Sequence, residues 1–289
     1  MAERRAAGTL ALDPRGVSTG STSPGSTGSK ARKARSRRSW VLPLATVLGL
    51  LVVAELATRM QLLGPHFPTV LDGARELVTQ VRSESFWARV SETLVGWAAG
   101  FLIAALIAVP VGLLIASNRF VFRSTRLIID FLRPIPPVAV LPLAVLLVGT
   151  GTEMKIYLVA FSAVWPVLFQ TVYGAQDVDP VARESARAYG LNRFQQYRHV
   201  VLPSAMPYIA TGLRLAATIA LVVTIATELI VGSVGLGYEI NQVRYADNTP
   251  AMYALIFVAG VIGWLITMAF SFAERRVLHW HHSHRETSS

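Results

Sequence analysis

The sequence lacks cysteine and is poor in charged side chains. Its 289 residues contain no Cys, and only 15% are Asp, Glu, Lys or Arg, against about 25% in an ordinary soluble domain. The missing cysteines exclude disulfide bonds and every cysteine-ligated metal or iron–sulfur centre. With 53% hydrophobic residues, the chain cannot present an ordinary water-exposed surface. The composition predicts an all-α polytopic membrane protein, because apolar segments cross a bilayer as helices.

Lysine is also scarce, and its positions exclude a phosphate-binding loop. Lys30, Lys33 and Lys155 are the only lysines, and none follows a glycine. A P-loop needs Gly-Lys-Ser/Thr, because its backbone amides and its lysine hold the phosphates together. No His-Glu-x-x-His motif, nucleophile elbow or pair of intramembrane aspartates occurs either. We predict that the chain is not an enzyme, has no catalytic residue or cofactor and does not bind ATP itself.

Six apolar segments are long enough, or nearly so, to cross a bilayer, which takes about 20 helical residues. The third is short and interrupted by prolines, and the apolar residues 127–132 lead into it. We therefore predict about six transmembrane helices. They cover 40–57, 90–116, 136–148, 156–172, 207–231 and 251–272.

Basic residues are distributed unevenly between the loops. With the N-terminus inside, 20 of the 27 Lys and Arg residues fall on the inner side and six in the outer loops. The positive-inside rule then places both termini in the cytoplasm. The chain is predicted to begin with a disordered basic tail (1–39), a first span (40–58) and an external loop with an interfacial helix (59–89). A core that contains a polar loop at 174–206 follows (90–273), and the chain ends in a cytoplasmic tail (274–289).

The two termini allow alternative interpretations. The stretch "KARKARSRR" is typical of a basic anchor beside a membrane, and "SRRSWVL" loosely resembles a twin-arginine export signal. The stretch "HWHHSHRE" near the C-terminus contains four histidines, which are either solvated or metal-binding. Because a flexible terminal cluster has no fixed geometry, we predict no metal site.

The polar loop between the fourth and fifth spans contains the signals of two short helices. Asp179 is an N-cap residue, Pro180 occupies the first helical position, and Gly190 follows a helix of about nine residues. Asn192 caps a second helix that Pro203 is predicted to end. Such a helix pair is either a connection with regular caps or a rigid element that docks on another protein. A DNA-reading helix-turn-helix is formally possible, but its tether between two spans leaves it little reach.

The spacing in this loop resembles a known motif. It resembles the EAA motif of permease subunits of binding-protein-dependent ABC importers. The matching residues are Glu184-Ser185-Ala186, then Gly190 after three residues, Val200 after nine more, and Leu202-Pro203 after one more. The motif has Ala at the second position and Ile where this chain has Val200. Both replacements are small or conservative.

The resemblance extends over roughly 67–280 and is strongest to the nitrate/sulfonate/taurine-type branch. The stretches "FLRPIPPVAVLPLAVLLVGTG" and "PYIATGLRLAATIALVVTIATELIVGSVGLGYEI" carry it outside the loop. It implies a type I importer fold in a bacterial cytoplasmic membrane, a second permease copy forming a homodimer, two separate ABC ATPase subunits and an external solute-binding protein. It also implies that the loop docks on the ATPase through a coupling helix. The residues implied are Glu184, Ser185, Ala186, Arg187, Tyr189, Gly190 and Arg193.

A few residues in or beside the apolar segments are candidates for a translocation path or gate. Charged groups are expensive in hydrocarbon, so Glu228 either lines the outer gate or takes part in a structural ion pair. Arg214 either extends to the cytoplasmic face or helps an anion to leave. Pro142 is a potential helix kink, and Gly235 and Gly237 indicate a tight turn.

The function implied by the resemblance is ATP-driven import of a small solute, such as nitrate, a sulfonate or taurine, by alternating access. A passive channel, or a permease of an importer branch for osmoprotectants or vitamin precursors, is the alternative. Nothing in the sequence indicates nucleic acid as a partner, and the lipid bilayer is the expected surroundings of the spans.

Overall fold

The computed structural model describes residues 45–62, 64, 66–132 and 134–278 of the chain, apart from the side chain of Arg119. The predicted basic tail, the start of the first span and the histidine-rich C-terminus lie outside the described residues. The chain divides into a unit of residues 1–53, in which 45–53 are helical, and a larger unit of residues 54–289.

Within the described residues the fold is helical throughout and contains no strand. Helix α1 covers 45–59 and the remaining helices follow in chain order. They are α2 Val70–Arg82, α3 Glu84–Ser117, α4 Arg119–Leu132, α5 Pro137–Val148, α6 Thr152–Gln176, α7 Pro180–Ala188, α8 Arg193–Gln196, α9 Leu202–Val231, α10 Leu236–Tyr245 and α11 Thr249–Val277.

Four helical stretches of the described chain are long and apolar enough to span a membrane: α3, α6, α11 and the stretch Arg193–Val231 that contains α9. The predicted third span is different, because Phe120–Leu132 and Pro137–Val148 meet at a bend of 91°. Pro134, Pro136 and Pro137 explain the break, since proline lacks an N–H and restricts the residue before it. With α1 only partly described, about six spans with both termini inside remains a prediction.

The long helices extend beyond the predicted apolar segments. Helix α3 begins at Glu84, within the stretch predicted to be external loop, and α11 continues to Val277, past the predicted start of the C-terminal tail. Glu84 lies in the first turn of α3, and Arg275 and Arg276 lie in the last turn of α11. Each charge has the sign that the helix dipole favours at that end. The hydrophobicity pattern of the sequence does not predict these terminal turns, because they contain polar residues.

Helices α3 and α6 pack closely against each other in the core. A Cβ atom on Gly100 would lie 2.6 Å from Val159 Cγ1, and one on Gly112 would lie 2.8 Å from Thr171 Cβ. Close helix contact in membranes relies on such small residues, because they let two backbones approach. The buried small residues recur at every fourth position of α3, which keeps them on one face. They are Gly96, Gly100, Ala104, Ala108 and Gly112.

Helix α9 packs on α6 in a similar way. A Cβ atom on Gly174 would lie 2.6 Å from Tyr208 Cβ, and one on Gly212 would lie 2.8 Å from Gln170 Cβ. Helix α11 packs against α2, α9 and α10 and leaves large apolar side chains such as Trp264 exposed. The buried helices α3, α6 and α9 therefore form the centre of the larger unit.

A helix, α2, is present in the stretch predicted to contain an interfacial helix, and its location at the membrane surface remains a prediction. The Thr69 side chain accepts a hydrogen bond from the Asp72 backbone N–H (3.1 Å), which caps its first turn. Glu55 of α1 lies at the same end, where its carboxylate accepts a hydrogen bond from the Val70 N–H (2.7 Å) and one from Arg59 Nε (2.7 Å). A carboxylate at a helix N-terminus satisfies free N–H groups, so Glu55 holds the start of α2.

Candidate functional site

The predicted first helix of the polar loop is present as α7. The Asp179 carboxylate accepts a hydrogen bond from the Val181 N–H (2.8 Å), and Pro180 occupies the first turn. The helix has nine residues, and Gly190 follows its end with a φ of 75°. The Leu191 N–H donates to the Ala186 carbonyl (3.1 Å), which is the pattern of a glycine-terminated helix. The predicted caps and length of this helix are confirmed.

The second helix begins as predicted but does not end at Pro203. Asn192 and Gln195 form a capping box. Helix α8 then passes through a π-helical turn, Tyr197–Val201, into α9, and Pro203 lies in the first turn of α9. The prediction that Pro203 ends the helix is wrong. The π-helical turn directly before Pro203 already departs from the α-helical hydrogen-bond ladder, so the proline is accommodated there without ending the helix. The loop is therefore continuous with a spanning helix.

The residues predicted to dock on a partner mostly lie on the surface of this loop. Glu184, Ser185 and Gly190 are exposed, and Tyr189 has 85% of its surface exposed. Arg187 and Arg193 are exposed as well. Only Ala186 is buried among the predicted set. A Cβ atom on Gly190 would meet nothing within 4 Å, so this glycine faces open space.

The inner side of the loop is attached firmly to the spanning helices. Arg183 donates through Nη2 to the Ala175 carbonyl near the end of α6. The Tyr208 hydroxyl of α9 donates to the Asp177 carboxylate (2.6 Å). A buried apolar cluster fills the space between these bonds, and it consists of Ala175, Val178, Val201, Ala205 and Ile209. Arg183 therefore connects α7 to α6, and Asp177 connects the segment before α7 to α9, so a displacement of the loop can be passed to both helices.

An ion pair is buried at the opposite end of the helices. Lys155 Nζ lies 2.8 Å from Glu228 Oε1, and both side chains have no exposed surface. Lys155 also donates to the backbone carbonyls of Val234 (3.0 Å) and Glu92 (3.3 Å). Glu228 is 26 residues beyond the first residue of α9, which is roughly 39 Å along a helix. The ion pair and the polar loop therefore lie at opposite ends of α9.

Glu228 has a complete set of hydrogen-bond donors. Its Oε2 accepts from the Thr93 hydroxyl (2.9 Å) and from the Gly237 N–H (3.0 Å). Thr93 Oγ1 in turn accepts from the Leu236 N–H (2.7 Å). A buried charge is tolerated only when it is paired and its remaining positions are bonded. The network meets that condition and connects α3, α6, α9 and the start of α10.

The predicted path glycines pack directly on this ion pair. A Cβ atom on Gly235 would lie 2.1 Å from Glu228 Cδ, and one on Gly237 would lie 2.4 Å from the Ile225 carbonyl oxygen. Gly96 has the same role on the other side, because its Cβ would lie 2.5 Å from Lys155 Cε. The glycines thus provide the space that the ion pair occupies.

The remaining predicted path residues lie elsewhere. Pro142 is exposed on α5. Arg214 is 14 residues before Glu228 on α9, roughly 21 Å along the helix, and it forms an ion pair with Glu274 of α11 (2.9 Å). The structure brings together Glu228, Gly235 and Gly237 but not the other two, and their role in a path remains a prediction.

Sequence reasoning missed Lys155 and Thr93. Lys155 was assigned to an outer loop, whereas the structure buries it completely. One signal was available, since Lys155 is the only lysine after residue 33 and Glu228 lies farther inside the end of a predicted span than Glu55 or Glu92 does. Opposite charges in hydrocarbon favour pairing. Thr93 carries no comparable signal.

A cavity of about 360 Å³ lies between α5, α6 and α9. Its polar lining side chains are neutral and come from Ser162, Trp165, Gln170 and Tyr173. Among the described residues, no charged side chain lines this cavity. Within the part of the chain that the structure describes, no group of three His, Asp or Glu side chains has the geometry to hold a metal ion.

Proteins of known function resemble this chain over most of its length. It is 30% identical over 181 residues to the nitrate import permease protein NrtB of Synechocystis. The matched region covers 63% of this chain and 66% of that protein, which is just under two thirds of its length. It is 30% identical to the bicarbonate transport system permease protein CmpB of Synechococcus elongatus, over 82% of this chain and 89% of that one. It is also 30% identical to the taurine transport system permease protein TauC of Escherichia coli, over 84% and 91%.

Solved structures agree on the fold. An inward-facing structure of the MetNI methionine ABC transporter matches with a TM-score of 0.61 and 23% identity, over 68% of this chain and 99% of that chain. A bacterial ABC transporter that imports alginate matches with a TM-score of 0.56 and 19% identity, over 86% and 99%. Residues 108–279 match the family described as the inner membrane component of binding-protein-dependent transport systems. The chain belongs to that family, the permease subunits of ABC importers.

Proposed function

We propose that this permease imports a small solute that carries an oxyanion group, driven by a separate ATPase that docks on α7. One observation carries the coupling part of the proposal. Glu184, Ser185 and Gly190 are exposed, while Arg183 of α7 is bonded to the end of α6 and the segment just before α7 is bonded to α9. An element exposed on one side and anchored on the other can pass a displacement from a partner to the spans. ATP-driven closure of two ATPase subunits would then switch the spans between inward-open and outward-open states.

The energy source is a separate subunit in this proposal. The chain contains no Gly-Lys-Ser/Thr sequence, and a P-loop requires one. Lys155, the one lysine outside the N-terminal 33 residues, already donates to a carboxylate and two carbonyls. ATP binding on this chain is thus unsupported, whereas a docking surface for an ATPase is supported by the exposed face of α7.

The solute class follows from the relatives and from the neutral cavity. The relatives are named for nitrate, bicarbonate and taurine, which share an oxyanion group. The cavity beside α6 offers the neutral polar groups of Gln170, Tyr173 and Ser162 and no carboxylate that would repel an anion. Neutral groups bind an anion weakly, which suits a site that a solute must leave. An external binding protein would supply selectivity, and a second copy of the chain would complete the path as a homodimer.

Gly190 provides the sharpest test of docking. Replacing it with Asp places a charged side chain in open space on the outer side of the loop, so the fold should survive while the ATPase contact fails. Gly149 is a matched control, because it also has a positive φ (83°) and open space around it but lies at the other end of α6. We expect Gly190→Asp to abolish ATP-dependent uptake and Gly149→Asp to retain it, at equal membrane abundance.

The measurement is uptake of labelled nitrate and taurine into proteoliposomes that contain the permease, its ATPase and its binding protein. Full uptake by Gly190→Asp would contradict the docking assignment. Flux through the permease without ATPase or ATP would instead establish the passive channel. Uptake of a solute that lacks an oxyanion, with no uptake of nitrate or taurine, would leave docking intact and overturn the proposed solute class.

A further inference from the structure

Four arginines at the loop end of the spans have no acidic partner. Within the described residues, no ion pair is formed by Arg123, Arg183, Arg187 or Arg193. By contrast, the nearby Arg126 is paired with Asp130. Arg183 donates one bond to a carbonyl, and its Nε is buried without a hydrogen-bond partner. Guanidinium groups that converge without neutralisation repel one another and attract anions.

Two adjoining cavities collect these guanidinium groups. One of about 480 Å³ is lined by Arg183, Arg187 and Arg193, and one of about 340 Å³ is lined by Arg123 and Arg183. Both volumes are in the range of small-molecule sites. The other lining side chains in the described part of the chain are neutral, and no Asp or Glu of that part lines either cavity. Arg183 and Arg187 are four residues apart on α7 and therefore share one helix face, which differs from the face of Ser185.

The two basic cavities lie at the ends of spanning helices. Ser117, the last residue of α3, and Gln176, the last residue of α6, line them. In a membrane permease the ends of spans lie at the level of the lipid headgroups. An anion bound here would thus be at the depth of a phosphodiester of the bilayer.

A mainly apolar cavity, which the Arg126–Asp130 ion pair also lines, continues from the basic ones into the span. It has a volume of about 260 Å³ and shares Phe122 and Gln176 with the smaller basic cavity. Its lining includes Leu168 and Val172 of α6, and Leu168 lies eight residues before Gln176, roughly 12 Å along the helix. Helix α4 beside it exposes Leu127 (79%) to the surroundings. A free phosphate ion needs no such apolar extension, but an acyl chain does.

We propose that these cavities bind the headgroup of an anionic phospholipid, with the phosphate between Arg123, Arg183, Arg187 and Arg193 and an acyl chain along α4 and α6. Basic pockets beside spanning helices bind anionic headgroups by this chemistry, because arginine donates two parallel hydrogen bonds to a phosphate. The site adjoins α7, so bound lipid would neutralise the loop beside the proposed docking face.

The test titrates phosphatidylglycerol or phosphatidylcholine into the full-length permease in detergent and counts bound lipid by native mass spectrometry. We expect wild type to prefer phosphatidylglycerol. The triple variant Arg123→Gln, Arg187→Gln, Arg193→Gln should lose affinity roughly 100-fold, since each arginine near a membrane surface contributes about fivefold. Arg183 is left in place because it also anchors α7. Arg198→Gln is the matched control, because Arg198 is exposed and lines neither cavity.

Further measurements distinguish a lipid phosphate from free phosphate as the bound anion. Equal binding of the two lipids by wild type overturns the proposal even if the triple variant does not fold. Displacement of phosphatidylglycerol by low millimolar inorganic phosphate would make this a free-phosphate site and also overturns it. Unchanged lipid binding by a folded triple variant that no longer captures the ATPase would assign these arginines to the ATPase contact instead.

Discussion

Replacing Glu228 with Gln should strongly destabilise the protein, because it leaves a buried lysine without its counter-charge. Lys155 and Glu228 are 2.8 Å apart with no exposed surface. Removing one partner of a buried ion pair costs about 3–5 kcal/mol. For a domain of this size that corresponds to a fall of roughly 6–20 °C in the unfolding midpoint. Lys155→Met, which leaves the carboxylate unpaired, should have an effect of similar size.

The double variant Lys155→Met, Glu228→Gln tests the reason for this loss. It removes both charges, so the penalty of an uncompensated charge disappears and hydrogen bonds from Thr93 and the Gly237 N–H remain available to the Gln oxygen. We expect the double variant to be more stable than either single variant, with a coupling energy of about 2–3 kcal/mol. Each 1.4 kcal/mol is a factor of ten in the folding equilibrium, so the difference is measurable.

The assay is thermal unfolding of the purified permease in one detergent, followed by intrinsic fluorescence, with denaturant titration as a second probe. Arg214→Gln provides a comparison, because that arginine is 35% exposed and its partner Glu274 is 12% exposed, so this ion pair is only partly buried. Single variants at Lys155 and Glu228 that stay within about 1 kcal/mol of wild type would refute the reasoning, as would strictly additive effects in the double variant.

Three other outcomes are expected. Gly235→Ala should lower the unfolding midpoint, because its Cβ would overlap the Glu228 carboxylate. Gly151→Ala should leave the midpoint unchanged, because a Cβ there would have nothing within 4 Å. Equal midpoints for the two variants would contradict the packing. Gly100→Val should reduce the folded yield by separating α3 from α6, and Gly260→Ala, which faces open space, should give wild-type yield on size-exclusion chromatography. Arg214→Gln and Glu274→Gln should each change stability by less than about 1 kcal/mol and should lower solute uptake equally if they act only as an ion pair; a loss confined to Arg214→Gln would support a role in anion release.

The helix pair of the polar loop was predictable because its signals are local. Asp179 bonds to a backbone group two residues away and Asn192 to one three residues away, so the sequence alone contains the whole interaction. Pro203 shows the limit of such reasoning. A proline ends one helix or begins the next with equal local plausibility, and the π-helical turn before it makes the chain continuous with α9.

The sequence by itself determined the helical class, four of the six predicted apolar spans, the caps of α7 and α8 and the absence of a P-loop. Each of these depends on composition or on residues that are close together in the sequence. Only the tertiary structure decided that Lys155 meets Glu228, 73 residues away, and that four arginines from α4, α7 and α8 line adjoining cavities. Such contacts depend on the depth and rotation at which the helices pack, which the glycine contacts between α3, α6 and α9 set. Helix packing therefore turned separate charges into an ion pair at one end of the spans and a basic site at the other.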